Sequence, residues 1–140
     1  RQRVIDTTRK LETDPFSDQA KADRSWLLQW ITDSPDVGVM ICDTMGLMDE
    51  GSERDFTPEI LMQGMAGNAV WQLEHPGSGN DEQAMQLAAV RSALKVYAAF
   101  MKKFPTQRIA SLDTLAKHEA KGDLDAYLAP IVAEKCMGKD

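Results

Sequence analysis

Six prolines, at positions 15, 35, 58, 76, 105 and 130, divide the chain into segments, and this punctuation most constrains its fold. Proline locks φ and lacks a backbone donor, so it belongs in the first turn of a helix or just beyond its end. Between the prolines, apolar residues recur at intervals of three and four, the period of one helical face. Leu87, Val90, Leu94, Tyr97 and Met101 mark the longest predicted helix, Glu82 to Lys103. Asn80 or Asp81 caps it after the Gly77-Ser78-Gly79 turn, Lys102 and Lys103 suit its negative end, and Pro105 stops it.

The other segments follow the same grammar. Val4, Ile5, Thr8 and Leu11 predict a short helix or an N-terminal arm over residues 1–16, ahead of a bundle domain over 17–140. Ser17 or Asp18 caps a second helix through Trp26, Leu27, Trp30 and Ile31 to about Asp33. Thr57-Pro58-Glu59 is a cap, an N1 proline and an acid at the positive dipole end, opening a helix that stops before His75. Within it, Gly64 and Gly67 with Ala66 and Asn68 form a narrow face that a second helix can approach. Thr106 caps a helix ending at Gly122, and Asp123 caps the last one, in which Pro130 forces a kink or break.

The run Val37 to Cys42 is ambiguous, being short, apolar and β-branched. A strand there lacks a partner strand and would leave its backbone groups unpaired, so a helix reaching about Met48 is expected. The fold class is therefore all-α: a single-domain bundle of five to six helices. Ala93, Tyr97, Phe100 and Pro105 look like the second helix of a tetratricopeptide repeat, but Phe100 is bulky where that repeat wants a small residue. No second copy follows, which leaves a helix hairpin rather than a repeat array.

Charge and cysteines bound the function. A net charge of −6 in 140 residues removes the basic footprint of a nucleic-acid binder. No stretch approaches the roughly 20 apolar residues of a membrane span. The two cysteines, Cys42 and Cys136, are far apart and outside any close metal spacing. They suit one disulfide tying the C-terminal segment to the body, or two separate buried thiols in a reducing compartment. The chain opens on Arg1 rather than Met, so a removed leader or a longer N-terminal segment is expected. With paired cysteines, that points to a periplasmic or secreted location.

Catalytic signatures are missing. No phosphate-binding glycine loop, nucleophile elbow or haem-attachment motif occurs, and His118-Glu119 fails as a zinc-protease motif because Gly122 replaces the second histidine. No residue set calls for a cofactor or a metal-binding role outright. Met40, Met45 and Met48, with Met62 and Met65, offer soft thioethers that suit copper(I), or else fill core gaps. Trp26, Trp30 and Trp71 line a groove for a partner, or pack in a core.

The pattern Trp26-Leu27-x-x-Trp30-Ile31-x-x-x-Pro35-Asp36-x-x-Val39-x-x-Cys42, with the terminal Glu134-Lys135-Cys136, resembles a group of secreted bacterial all-helical proteins of unknown function. That resemblance implies a Cys42–Cys136 pair and brings no activity with it. The resulting reading is a helical binding or structural module outside the cytoplasm, partnered by a protein or peptide. A small-ligand or copper(I) domain using the methionines, and a small enzyme built on His75 or His118 with a nearby acid, are the alternatives.

Overall fold

The computed structural model describes residues 1–137. Six helices follow one another: α1 (Gln2–Thr13), α2 (Ala20–Asp33), α3 (Thr57–Glu74), α4 (Glu82–Lys103), α5 (Ala110–Lys121) and α6 (Leu124–Val132). A π-helical turn, Ala133–Met137, continues α6. There is no strand among the described residues, and Cys42 and Cys136 form a disulfide, so the all-helical, disulfide-stapled bundle is the fold. The last three residues of the expected 17–140 bundle lie outside the described residues.

The centre is an antiparallel hairpin of α3 and α4. Small residues at the seam set its spacing: a Cβ on Gly67 would lie 2.6 Å from Ser92 Cβ and 2.9 Å from the Ala88 carbonyl oxygen. Only a residue without a side chain lets two backbones come this close. Two apolar cores flank the hairpin. One packs Val4, Leu11, Leu27 and Ile31 of α1 and α2 against Ala66, Ala69 and Val70 of α3. The other packs Val90, Ala93, Val96 and Tyr97 of α4 against Leu112, Leu115, Leu124 and Leu128 of α5 and α6.

Residues 1–16, expected as an arm or short helix, contribute a full helix that is joined to the hairpin by buried polar groups. Gln63 donates to the Thr8 carbonyl at 3.2 Å and to Ser92 Oγ at 2.9 Å. Ser92 Oγ in turn donates to Glu12 at 2.6 Å. The Glu12 side chain is only 6% exposed and is neutralised by Arg9 at 2.9 Å and Lys95 at 3.5 Å. A carboxylate so desolvated is tolerable because donors and cations surround it.

Helix α2 begins at Ala20, with Gln19 rather than Ser17 or Asp18 at its N-cap and no side-chain cap. Helix α4 begins as anticipated, with Asp81 accepting from the Ala84 N–H at 3.1 Å. Helix α5 starts at Ala110 rather than after Thr106. The reason is tertiary: the Tyr97 hydroxyl accepts from the Ile109 N–H at 2.8 Å, holding Ile109 extended. Tyr97 and Arg108 both bind Asp113, at 2.9 and 2.8 Å. Burial would raise the Asp113 carboxyl, and these two hydrogen bonds overcome it, leaving the group below its ordinary value.

The larger correction concerns Val37 to Met48, which is not helical: residues 34–56 run as irregular chain. A non-helical segment without a partner strand needs other partners for its backbone. A side-chain amide supplies one, since Gln72 accepts from the Gly38 N–H at 3.1 Å and donates to the Gly38 carbonyl at 2.8 Å. Buried Val37, Met45 and Leu47 pin the segment to the body, and Asp43 accepts from the Leu47 and Met48 N–H groups at 2.9 and 3.1 Å. β-Branched Val37, Val39 and Ile41 already disfavour helix.

Two stability measurements test this construction. The disulfide closes a sequence separation of 94 residues. Replacing both cysteines by serine is expected to cost about 3–5 kcal/mol, read as the shift in urea denaturation. Gly67→Ala is expected to destabilise by about 2 kcal/mol, because overpacking against Ser92 and Ala88 outweighs the helix-propensity gain. Gly64→Ala meets only the movable Met45 methyl at 3.1 Å and is expected to change stability by less than about 1 kcal/mol.

Candidate functional site

Side chains that a monomer would be expected to bury gather on the surface around the disulfide. The four most exposed large apolar residues described are Ile41 at 67%, Met48 at 65%, Met137 at 56% and Met40 at 52%. Met40 and Ile41 immediately precede Cys42, and Met137 follows Cys136, so the disulfide itself brings these two ends together. Exposed apolar side chains gathered in this way mark binding faces.

Three of these residues, Met40, Ile41 and Met48, line a groove of about 160 Å³. The irregular segment contributes Val39, Met40, Met45 and Met48, and α3 contributes Leu61 and Met65. Its deeper surface is made by Gly64 and Ala89 where α3 meets α4. Asn68, Gln86 and Thr44 are the polar residues along it, and each is already hydrogen-bonded: the Thr44 hydroxyl donates to Gln86 Oε1 at 3.1 Å, and Asn68 Oδ1 accepts from Gln72, outside the groove, at 2.7 Å. What the groove offers a ligand is therefore apolar contact. Of the five methionines singled out from sequence, Met40, Met45, Met48 and Met65 line it, while Met62 is buried in the core between α1, α2 and α3.

The tryptophans do not share one surface. Trp26 and Trp30 line a shallow depression with Asp33 and Asp36, and the Arg3 guanidinium lies 3.9 Å from the centre of the Trp26 ring. Trp71 lines a different cavity, with Arg9, Glu12, Arg91 and Lys95, and stacks on His75 at 4.2 Å. All three are half-buried.

His118 lies 2.8 Å from Asp123 through Nδ1 and stacks on Tyr127 at 4.0 Å. The hydrogen bond from His118 is the main reason the Asp123 carboxyl falls below its ordinary value. The pair joins the end of α5 to the start of α6 around Gly122, whose φ is +82°. His75 is exposed, with Nδ1 2.9 Å from the Trp71 carbonyl oxygen. Glu82 approaches Cys42 and Cys136 closely enough for a metal set, but the disulfide occupies both sulfurs.

A second cluster has no local sequence signal. All four phenylalanines of the chain, Phe16, Phe56, Phe100 and Phe104, meet beside the α4 C-terminus. Only Phe100 and Phe104 are near in sequence, so no local spacing exposes the group. No known protein family, curated protein or solved structure matches the chain.

Methionine accessibility gives a direct check on the groove. Under mild peroxide, Met40, Met48 and Met137 are expected to form sulfoxides first, while Met45, Met62, Met85 and Met101 stay reduced, as followed by peptide mass mapping.

Proposed function

We propose that this chain is a non-enzymatic binding module working outside the cytoplasm, and that the methionine groove seats a peptide segment carrying apolar side chains flanked by basic ones. The observation that carries this reading is the exposed apolar surface around the disulfide, formed by Ile41, Met48, Met137 and Met40.

Size favours a peptide over a small molecule. Small-molecule pockets run to about 300–1,000 Å³, and a groove of about 160 Å³ takes one or two anchoring side chains. Met40, Ile41 and Met48 line the groove and stay exposed at its rim, and Met137, across the disulfide, is the exposed apolar residue outside it. Unbranched methionines repack around differently shaped anchors, as adaptable binding surfaces do. Charge favours basic flanks: the segment carrying Met48 continues into exposed Asp49, Glu50 and Glu53, on a chain of net charge −6.

The location rests on the disulfide, which persists in oxidising compartments. No described helix is long and apolar enough to cross a membrane. Membership of the secreted bacterial helical group, proposed from the Trp26–Cys42 pattern, would account for the same location.

A second reading has one observation in its favour: four methionines line a single groove, and copper(I) takes soft thioether ligands. Panning a displayed peptide library against the oxidised protein distinguishes the two. The expected winners carry two or three large apolar residues beside Lys or Arg. Their affinity should fall about tenfold or more in an Ile41→Asp, Met48→Asp variant whose melting temperature is unchanged. No enrichment, or binding indifferent to that variant, rejects the peptide reading. Tight copper(I) uptake against a chromophoric chelator would transfer the groove to the metal.

A further inference from the structure

We propose that the phenylalanine-lined cavity is a second binding site, taking a small arylalkylammonium ion whose ring packs among the phenylalanines and whose ammonium meets Glu59. It shares no lining residue with the methionine groove. Its volume, about 470 Å³, lies within the usual range for small-molecule sites.

The aromatic surface is arranged in depth. Phe56 and Phe100 are buried and stacked at 4.7 Å, while Phe16 and Phe104 are partly exposed at the entrance. Phe16 meets Phe100 edge-on at 4.8 Å, and Phe104 lies 6.4 Å from both Phe56 and Phe100. A flat ring entering between them finds both faces and edges to pack on, in the geometries aromatic pairs prefer.

The same rings already hold an ammonium group. Lys103 Nζ lies 4.4 Å from the centre of the Phe16 ring and 5.7 Å from that of Phe104. The attraction is the one by which aromatic cages take organic cations. Lys103 is exposed and on a flexible stem, so it can leave the entrance without disturbing the core.

Glu59 supplies the polar end. It lines the cavity, and its Oε1 is buried with no hydrogen-bond partner. A place in the first turn of α3 explains why an acid occurs there. It does not supply the missing donor, and a buried carboxylate oxygen left unpaired is costly. Asp55 lines the cavity too and makes no ion pair among the described residues. Of the cations, Arg24 donates to the Pro15 carbonyl at 3.3 Å. An ion with N–H donors at one end and a ring at the other satisfies the carboxylate and fills the aromatic space together.

Calorimetric titration of the intact oxidised protein with 2-phenylethylammonium is the test, alongside 3-phenylpropionate as the charge-reversed probe. The amine is expected to bind with a Kd of about 0.1–1 mM, in keeping with so small a ligand. Amide resonances near Phe16, Phe56 and Glu59 should shift on binding. Glu59→Gln, which keeps the shape and removes the charge, should weaken the amine about tenfold without lowering the melting temperature; Phe104→Ala, at the exposed entrance, should also weaken it. Absence of amine binding, affinity unchanged in Glu59→Gln, or equal binding of the carboxylate would overturn the proposal.

Discussion

The close approach of α3 to α4 at Gly67 is the constraint on which the rest of the molecule depends. Because no side chain separates the helices there, Ser92 comes within reach of Gln63 and Glu12, and the polar connection to α1 becomes possible. The same spacing makes the hairpin thin, so it carries a separate apolar core on each side. It also sets the depth of the methionine groove, whose inner surface is Gly64 and Ala89. A bulkier seam would loosen α1 and fill the groove together.

Much of the helical frame was legible because its signals are local. Pro58, Asp81, Pro105 and Gly122 act within one turn of chain, and the ends of α3, α4 and the terminus of α5 agree with them. The narrow face at Gly64 and Gly67 was legible for the same reason. What escaped depends on distant partners. Residues 37–48 stay irregular rather than helical, and Gln72, 34 positions beyond Gly38, pairs with both Gly38 backbone groups as a neighbouring strand would. The start of α5 is delayed by a hydroxyl on α4. Nothing local indicates either partner.

The candidate sites divide along the same line. Met40, Met45 and Met48 stand out as a sequence cluster, and they do line one groove with Met65. That Met62 turns into the core depends on which face of α3 meets α1 and α2, and spacing alone does not decide it. The tryptophans show the opposite failure, since similar residues chosen by type ended in separate depressions. The phenylalanine cluster is assembled from three remote parts of the chain and has no linear signature.

The disulfide has one more consequence, concerning covalent connectivity. Because it joins Cys42 to Cys136, everything between them is a closed ring, with α1 and α2 attached as a tail. A single proteolytic nick anywhere inside the ring, including the exposed stretch at Asp49 to Gly51, opens a loop without releasing a fragment. A cut in the segment joining α2 to Cys42 frees the tail instead. The surface formed around the disulfide by Met40, Ile41 and Met137 is thus built at the closure of that ring, where one cleavage elsewhere in it cannot detach either side.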